Sequence, residues 1–162
     1  MHLLLSLFSL ASAQCPASLI SSSSPATLIE RSPGLYTTST LVPSIPSVWT
    51  TLPGATWIWE STAYSVGVFA FVNTFTMADW ASSSIAHLRL YISADNAYSV
   101  VFNGVPIGTE WTGGFATVDQ YDLKPWVLGS SVALGAQENR LEMKVWNAGG
   151  PGGLLYKLVI EY

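Results

Sequence analysis

The chain has 162 residues, of which 49% are hydrophobic and only 10% charged, and its net charge is −4 at pH 7. That length and apolar content suffice for one buried core, while the six scattered Lys and Arg argue against a nucleic-acid partner, which needs a clustered basic face. A charged fraction well under the usual quarter predicts a surface that is hydroxylated, glycosylated or packed against neighbours.

Residues 1–13 read as a secretory leader. Leu3 to Leu10 is an apolar run, and Ala11-Ser12-Ala13 has the small-x-small form of a cleavage site, although His2 stands where a Lys or Arg is usual. The alternative is a buried N-terminal strand. The run is too short to cross a bilayer, and no later run is long enough either, so a secreted, extracellular protein with no membrane span is expected. The lone Cys15 allows no internal disulfide and leaves a free thiol or a bond between molecules.

Residues 14–54 form a Ser-, Thr- and Pro-rich extension. Within it, Thr27-Leu28-Ile29 and Leu35 to Val42 are strand-prone, with the prolines beside these segments rather than inside them. Leu28, Ile29, Leu35, Tyr36, Leu41 and Val42 are therefore expected to lie along a sheet edge, either the chain's own or that of a neighbouring copy.

Residues 55–162 carry strand alternation. Trp57 to Glu60 opens the series, and Val66 to Phe75 is apolar on both faces, as a strand covered on both sides would be. Ala86, Leu88, Leu90 and Ile92 alternate with polar residues. Tyr98, Val100 and Phe102 lead into Asn103-Gly104, a strong hairpin signal because both turn residues tolerate positive φ. Phe115 to Leu123 reads as a strand and Met77 to Ser83 as one helical turn. Leu141, Met143 and Val145 oppose Glu142, Lys144 and Trp146, and Leu154 to Tyr162 closes the chain. Short strands separated by turns predict an all-β antiparallel sandwich, a jelly roll with an extended N-terminal arm.

The stretch Ala94-Asp95-Asn96 through Tyr98, Val100, Phe102-Asn103-Gly104 and Gly108 resembles the galactose-binding-domain-like jelly rolls that accompany β-galactosidase- and rhamnosidase-type glycoside hydrolases. Tyr121-Asp122-Leu123-Lys124-Pro125-Trp126, Asn139-Arg140-Leu141, Asn147 to Leu155 and Trp57-Ile58-Trp59 are similar to segments of the same domains. The resemblance spans residues 55–162 and implies architecture and a sugar-binding ancestry rather than an activity.

The residues offer little for catalysis. Asp119 and Asp122 are three apart, which in a strand places them on opposite faces, and beyond the leader His87 is the only histidine, in an alternating strand with no nucleophile elbow nearby. No catalytic residue and no cofactor are expected. Asp95 and Asn96 are a weak calcium candidate, since hard oxygens suit that ion, and an Asx turn accounts for them equally. Of the seven tryptophans, Trp49, Trp80, Trp111 and Trp126 fall in or near loops. Trp80, Trp111 and Trp126 are candidate stacking platforms for sugar rings, and each serves equally well as a core plug or a subunit contact.

Two functions follow. In the first, the chain is a non-enzymatic subunit of an extracellular filament, its partner another copy of itself, with the arm docked onto a neighbour's sandwich. In the second, it is a carbohydrate-binding module that takes glycans through loop aromatics.

Overall fold

The computed structural model describes residues 17–60, 65–76, 85–111, 114–124 and 138–161. In chain order its strands are β1 (Ala17–Ser22), β2 (Leu28–Ser32), β3 (Leu35–Thr38), β4 (Thr40–Leu41), β5 (Ile58–Trp59), β6 (Gly67–Thr76), β7 (His87–Asp95), β8 (Ala97–Phe102), β9 (Val105–Glu110), β10 (Asp119–Asp122), β11 (Glu138–Asn147) and β12 (Gly153–Glu161). A 3-10 turn at Gly114–Ala116 precedes β10. The hairpin forms as its residues require: Asn103 and Gly104 take φ of 48° and 82°, and Phe102 stands opposite Val105.

The strands make two antiparallel sheets packed as a sandwich. The first has the order β10-β7-β12-β5-β4, with β1 also paired to β12. The second has the order β3-β2-β6-β11-β8-β9. Between them lies the core that alternation predicts. Leu88, Leu90, Ile92 and Ala94 face in from β7, opposite Ile160, Leu158, Tyr156 and Leu154 of β12. From the second sheet, the cross-strand row Ile29–Phe71–Met143–Val100 is fully or almost fully buried.

The N-terminal arm belongs to this sandwich. The segment read as a separate extension over 14–54 supplies β1 and β4 to one sheet and β2 and β3 to the other, so no structural boundary falls at residue 54. In the single chain, the strand expected to seek a neighbour's edge is paired at home. A buried polar hub explains its choice. Ser23 exchanges bonds with Tyr156, its amide donating to the Tyr156 carbonyl at 2.9 Å and its Oγ accepting from the Tyr156 amide at 3.1 Å. The Tyr156 hydroxyl reaches Ser21 at 3.1 Å and Thr27 at 3.2 Å, and the Thr56 amide donates to the Ser23 carbonyl. Buried polar groups that satisfy one another this way hold one register, because any slip would leave them unpaired.

Two further expectations are corrected. Phe115 to Leu123 is not one strand: Phe115 sits in the 3-10 turn, and only Asp119–Asp122 pairs, along β7. Its start bends because Ser93 Oγ donates to the Gly114 carbonyl at 2.8 Å. Strand β6 is central, but not covered on both sides, since Val68 is 65% exposed on its outer face. The leader, Cys15 and the helical turn expected at Met77 to Ser83 lie outside the described residues.

The outer face of the first sheet is closed at one end by residues 42–57. Trp49 packs on Trp57 at 4.4 Å and on Phe115 at 6.4 Å between ring centroids. Trp49 and Trp57 lie so close over Gly153 that a Cβ there would come within 2.6 Å of Trp49. The outer face of the second sheet has no such cover among the described residues.

Candidate functional site

Strand alternation builds the site on that uncovered face. Along β11 the odd residues Leu141, Met143 and Val145 enter the core, so Glu138, Arg140, Glu142, Lys144 and Trp146 point outward. Register brings their neighbours: Trp146 lies between Val68 and Ala97, Lys144 between Ala70 and Ser99, Glu142 between Val72 and Val101, and Arg140 beside Thr74. Further rungs come from the arm, where Glu30 is paired with Ala70 and Tyr36 with Glu30.

Two hollows open on this face. The first, about 220 Å³, is floored by Val68, Ala97, Trp111 and Trp146, with Ser99 and Lys144 at its polar side. Trp111, just past β9, is 69% exposed and Trp146 is 45% exposed. The second, about 280 Å³, lies towards the other end of β11 and is lined by Leu28, Tyr36, Val72, Thr74, Glu138 and Arg140.

Between the hollows runs a chain of ion pairs. Lys144 Nζ lies 3.1 Å from Glu142, and Arg140 lies 3.2 Å from Glu142 and also pairs closely with Glu30. Arg140 Nη1 donates to the Tyr36 hydroxyl at 3.0 Å. Burial works to raise the Glu142 carboxyl, but its hydrogen bonds with Lys144 and Arg140 and their charges outweigh this and hold it below its usual range. Burial likewise works to lower the Arg140 guanidinium, and Tyr36, Glu142 and Glu30 more than offset it.

The residues singled out from sequence separate clearly. Trp111 joins the first hollow, while Trp80 and Trp126 lie outside the described residues. Trp49 is a core plug. Of the arm residues, Ile29 is fully buried and Val42 nearly so, with its amide donating to the Trp57 carbonyl. Leu28 and the exposed Tyr36 line the second hollow, whereas Leu35 and Leu41 are exposed without lining either hollow. Asp95 and Asn96 line neither hollow: Asp95 is on the outer face of the first sheet, buried, and accepts from Asn96 Nδ2 at 2.5 Å. Asn96 in turn ties the start of β8 to the end of β11, its amide donating to the Trp146 carbonyl and its Oδ1 accepting from the Ala148 amide at 2.7 Å. No group of three or more metal-ligating residues occurs among the described residues. Asp119 accepts from Tyr98 at 2.6 Å and Asp122 pairs with His87 at 2.9 Å, so the two carboxylates have separate partners, as their spacing requires.

No protein-family model and no curated protein matches the sequence. Solved structures do match its fold. The chain is similar to part of Ruminococcus gnavus β-glucuronidase, at 14% identity and a TM-score of 0.57, over 96% of this chain and 30% of that one. It is also similar to part of a glycosyl hydrolase family 2 member from Bacteroides cellulosilyticus, at 14% identity and a TM-score of 0.52, over 85% of this chain and 20% of the other. The chain thus spans less than a third of the solved chains it matches. At such identity the likeness carries the fold alone: a β-sandwich of the kind built into glycoside hydrolases.

Trp146 is not marked by a loop position, since it lies within β11. The signal was present: alternation with Leu141, Met143 and Val145 turns an indole outward in mid-sheet, where no core needs it.

Proposed function

We propose that this chain is an extracellular carbohydrate-binding module of the galactose-binding-like class, and that it takes glycans on the outer face of its second sheet. The observation that carries the reading is the pairing of Trp111 and Trp146 over one apolar hollow with Ser99 and Lys144 at its side. Sugar rings present flat C–H faces that pack on indoles, with hydroxyls left for a few polar groups, and a shallow, mostly apolar site with convergent donors suits them. Large apolar side chains left exposed together are uncommon on a protein without a ligand or partner there. The extracellular setting rests on the leader-like residues 1–13.

The test is retention. The purified protein is run on a panel of immobilised polysaccharides and printed glycans beside Trp146→Ala and Trp111→Ala. Wild type should be retained by at least one glycan and each variant should lose most of that retention. Equal retention of all three proteins would refute the assignment of this face.

A second reading keeps the filament, with a changed joint. Strand β3 is the outer edge of its sheet, all four of its residues are exposed, and Leu35 is 58% exposed. An uncapped edge can add a strand from another copy. Since the arm is used at home, deleting it would remove four strands from the fold; Leu35→Asp with Leu41→Asp is the cleaner variant. In this reading wild type sediments as polymers and the double variant as monomers.

A further inference from the structure

We infer that the ligand is an uncharged polysaccharide chain lying lengthwise along β11, spanning both hollows, rather than a single terminal or acidic sugar. The inference rests on the glycan reading above and adds the length and the charge of what is bound.

Length follows from register. Trp146 lines the first hollow and Arg140 the second, and both residues belong to the same outward row of one strand. Six residues at the rise of a strand separate them by about 20 Å, several sugar rings end to end. Among the described residues, nothing bulky from the flanking strands interrupts the path. The residues between, Lys144 and Glu142, are flanked by Ala70, Ser99, Val72 and Val101, which are small or short. The ion pairs along this path present donors and acceptors already oriented, as a row of hydroxyls requires. Tyr36, whose hydroxyl accepts from Arg140, adds a ring at the wall of the second hollow, so each hollow has an aromatic and the ion pairs lie between them. A site for one terminal sugar would need only the first hollow.

Charge follows from the pairing. Across this path the cations are Arg140 and Lys144, and each is held by a carboxylate, Arg140 by Glu30 and Glu142, Lys144 by Glu142. Glu138 adds a third carboxylate beside the second hollow. An acidic sugar would have to displace one of these carboxylates to gain a cation, and would meet the others as like charges. The net charge of −4 opposes an acidic polymer at longer range as well. Neutral hydroxyls can share the same groups without breaking the pairs.

The experiment is calorimetric titration of the whole chain with cello-, xylo- and laminari-oligosaccharides from disaccharide to hexasaccharide, with polygalacturonate as the acidic probe. For the ladder that binds, affinity should rise about tenfold or more between disaccharide and hexasaccharide, a gain equal to one decade in the binding constant. Tyr36→Ala should abolish the gain while leaving the disaccharide unaffected. Thr74→Arg, which fills the second hollow from an exposed position, should do the same, and circular dichroism checks that both variants fold. A hexasaccharide that binds no better than its disaccharide would overturn the lengthwise path while leaving the glycan reading in place. Tighter, salt-sensitive binding of polygalacturonate would overturn neutrality alone. Failure of every saccharide to bind, together with self-association that Trp146→Ala abolishes, would overturn the glycan reading and this inference with it.

Discussion

The two outer faces of this sandwich carry similar aromatic residues and put them to opposite uses. On the first sheet, Trp49 and Trp57 close over Gly153 with Phe115 packed on Trp49, and all three are buried or partly buried. On the second, Trp146 and Trp111 stand in the open beside Val68. The difference comes from chain connectivity. The segment from residue 42 to 57 joins β4 to β5, both in the first sheet, and must cross the end of that sheet, so its tryptophans become a lid. No described segment crosses the second sheet. An indole on a covered face therefore holds the fold, and one on a bare face is available to a ligand.

The sharpest way to break that comparison is to truncate one indole on each face. Trp49→Ala should cost about 3–5 kcal/mol, the usual loss for removing a large buried aromatic, read as a fall in the urea midpoint. Should it cost no more than a surface change, the lid is not part of the core.

A smaller effect is expected from Asp95, which the lid end of the first sheet buries. Burial raises its carboxyl from 3.8 to about 6, with the Asn96 hydrogen bond pulling the other way. The folded state therefore holds this proton more tightly than the unfolded chain. Its contribution to stability is complete below the unfolded value and is lost as pH rises through the folded one. At about 1.4 kcal/mol per unit, that is roughly 3 kcal/mol at most. Melting curves of wild type and Asp95→Asn should diverge with pH: wild type loses ground to the variant between about pH 4 and 6, then runs parallel above it. Glu142, held low by Lys144 and Arg140, acts in the opposite sense in both proteins, losing its stabilisation as acid is added, and cancels in the difference. A difference that does not vary with pH would mean the lid leaves Asp95 wet.

The smallest effect sharpens the comparison from the other side. Trp146→Ala should change the unfolding free energy from urea titration by no more than about 0.5 kcal/mol, as for other surface substitutions, while glycan retention falls. A large loss of stability would place Trp146 with Trp49 among the structural indoles.

Much of this was readable in the chain. The Asn103-Gly104 turn, the inward rows of β7, β8, β11 and β12, and the strand propensity of Leu28-Ile29 rest on local chemistry, and the structure follows them; Leu35 to Val42 is not one strand but breaks at Ser39 into β3 and β4, which join different sheets. The strand expected through Phe115 to Leu123 did not form whole, because Ser93, distant in sequence, captures the Gly114 carbonyl. The site was half legible. Trp111 was marked by its place in or near a loop; Trp146 was placed outward by alternation, but its neighbour Val68 comes from a strand almost eighty residues earlier.

What the sequence determined by itself was periodicity: which residues alternate, where the chain must turn, and that two apolar rows must find each other. These are properties of neighbouring backbone units and need no partner. Only the tertiary structure decided that the arm pairs with its own sheets, that one outer face is roofed and the other bare, and that Trp111 and Trp146 share a hollow. Those outcomes depend on which distant segments satisfy the hydrogen bonds of an edge or the space above a glycine, and that competition is settled by packing.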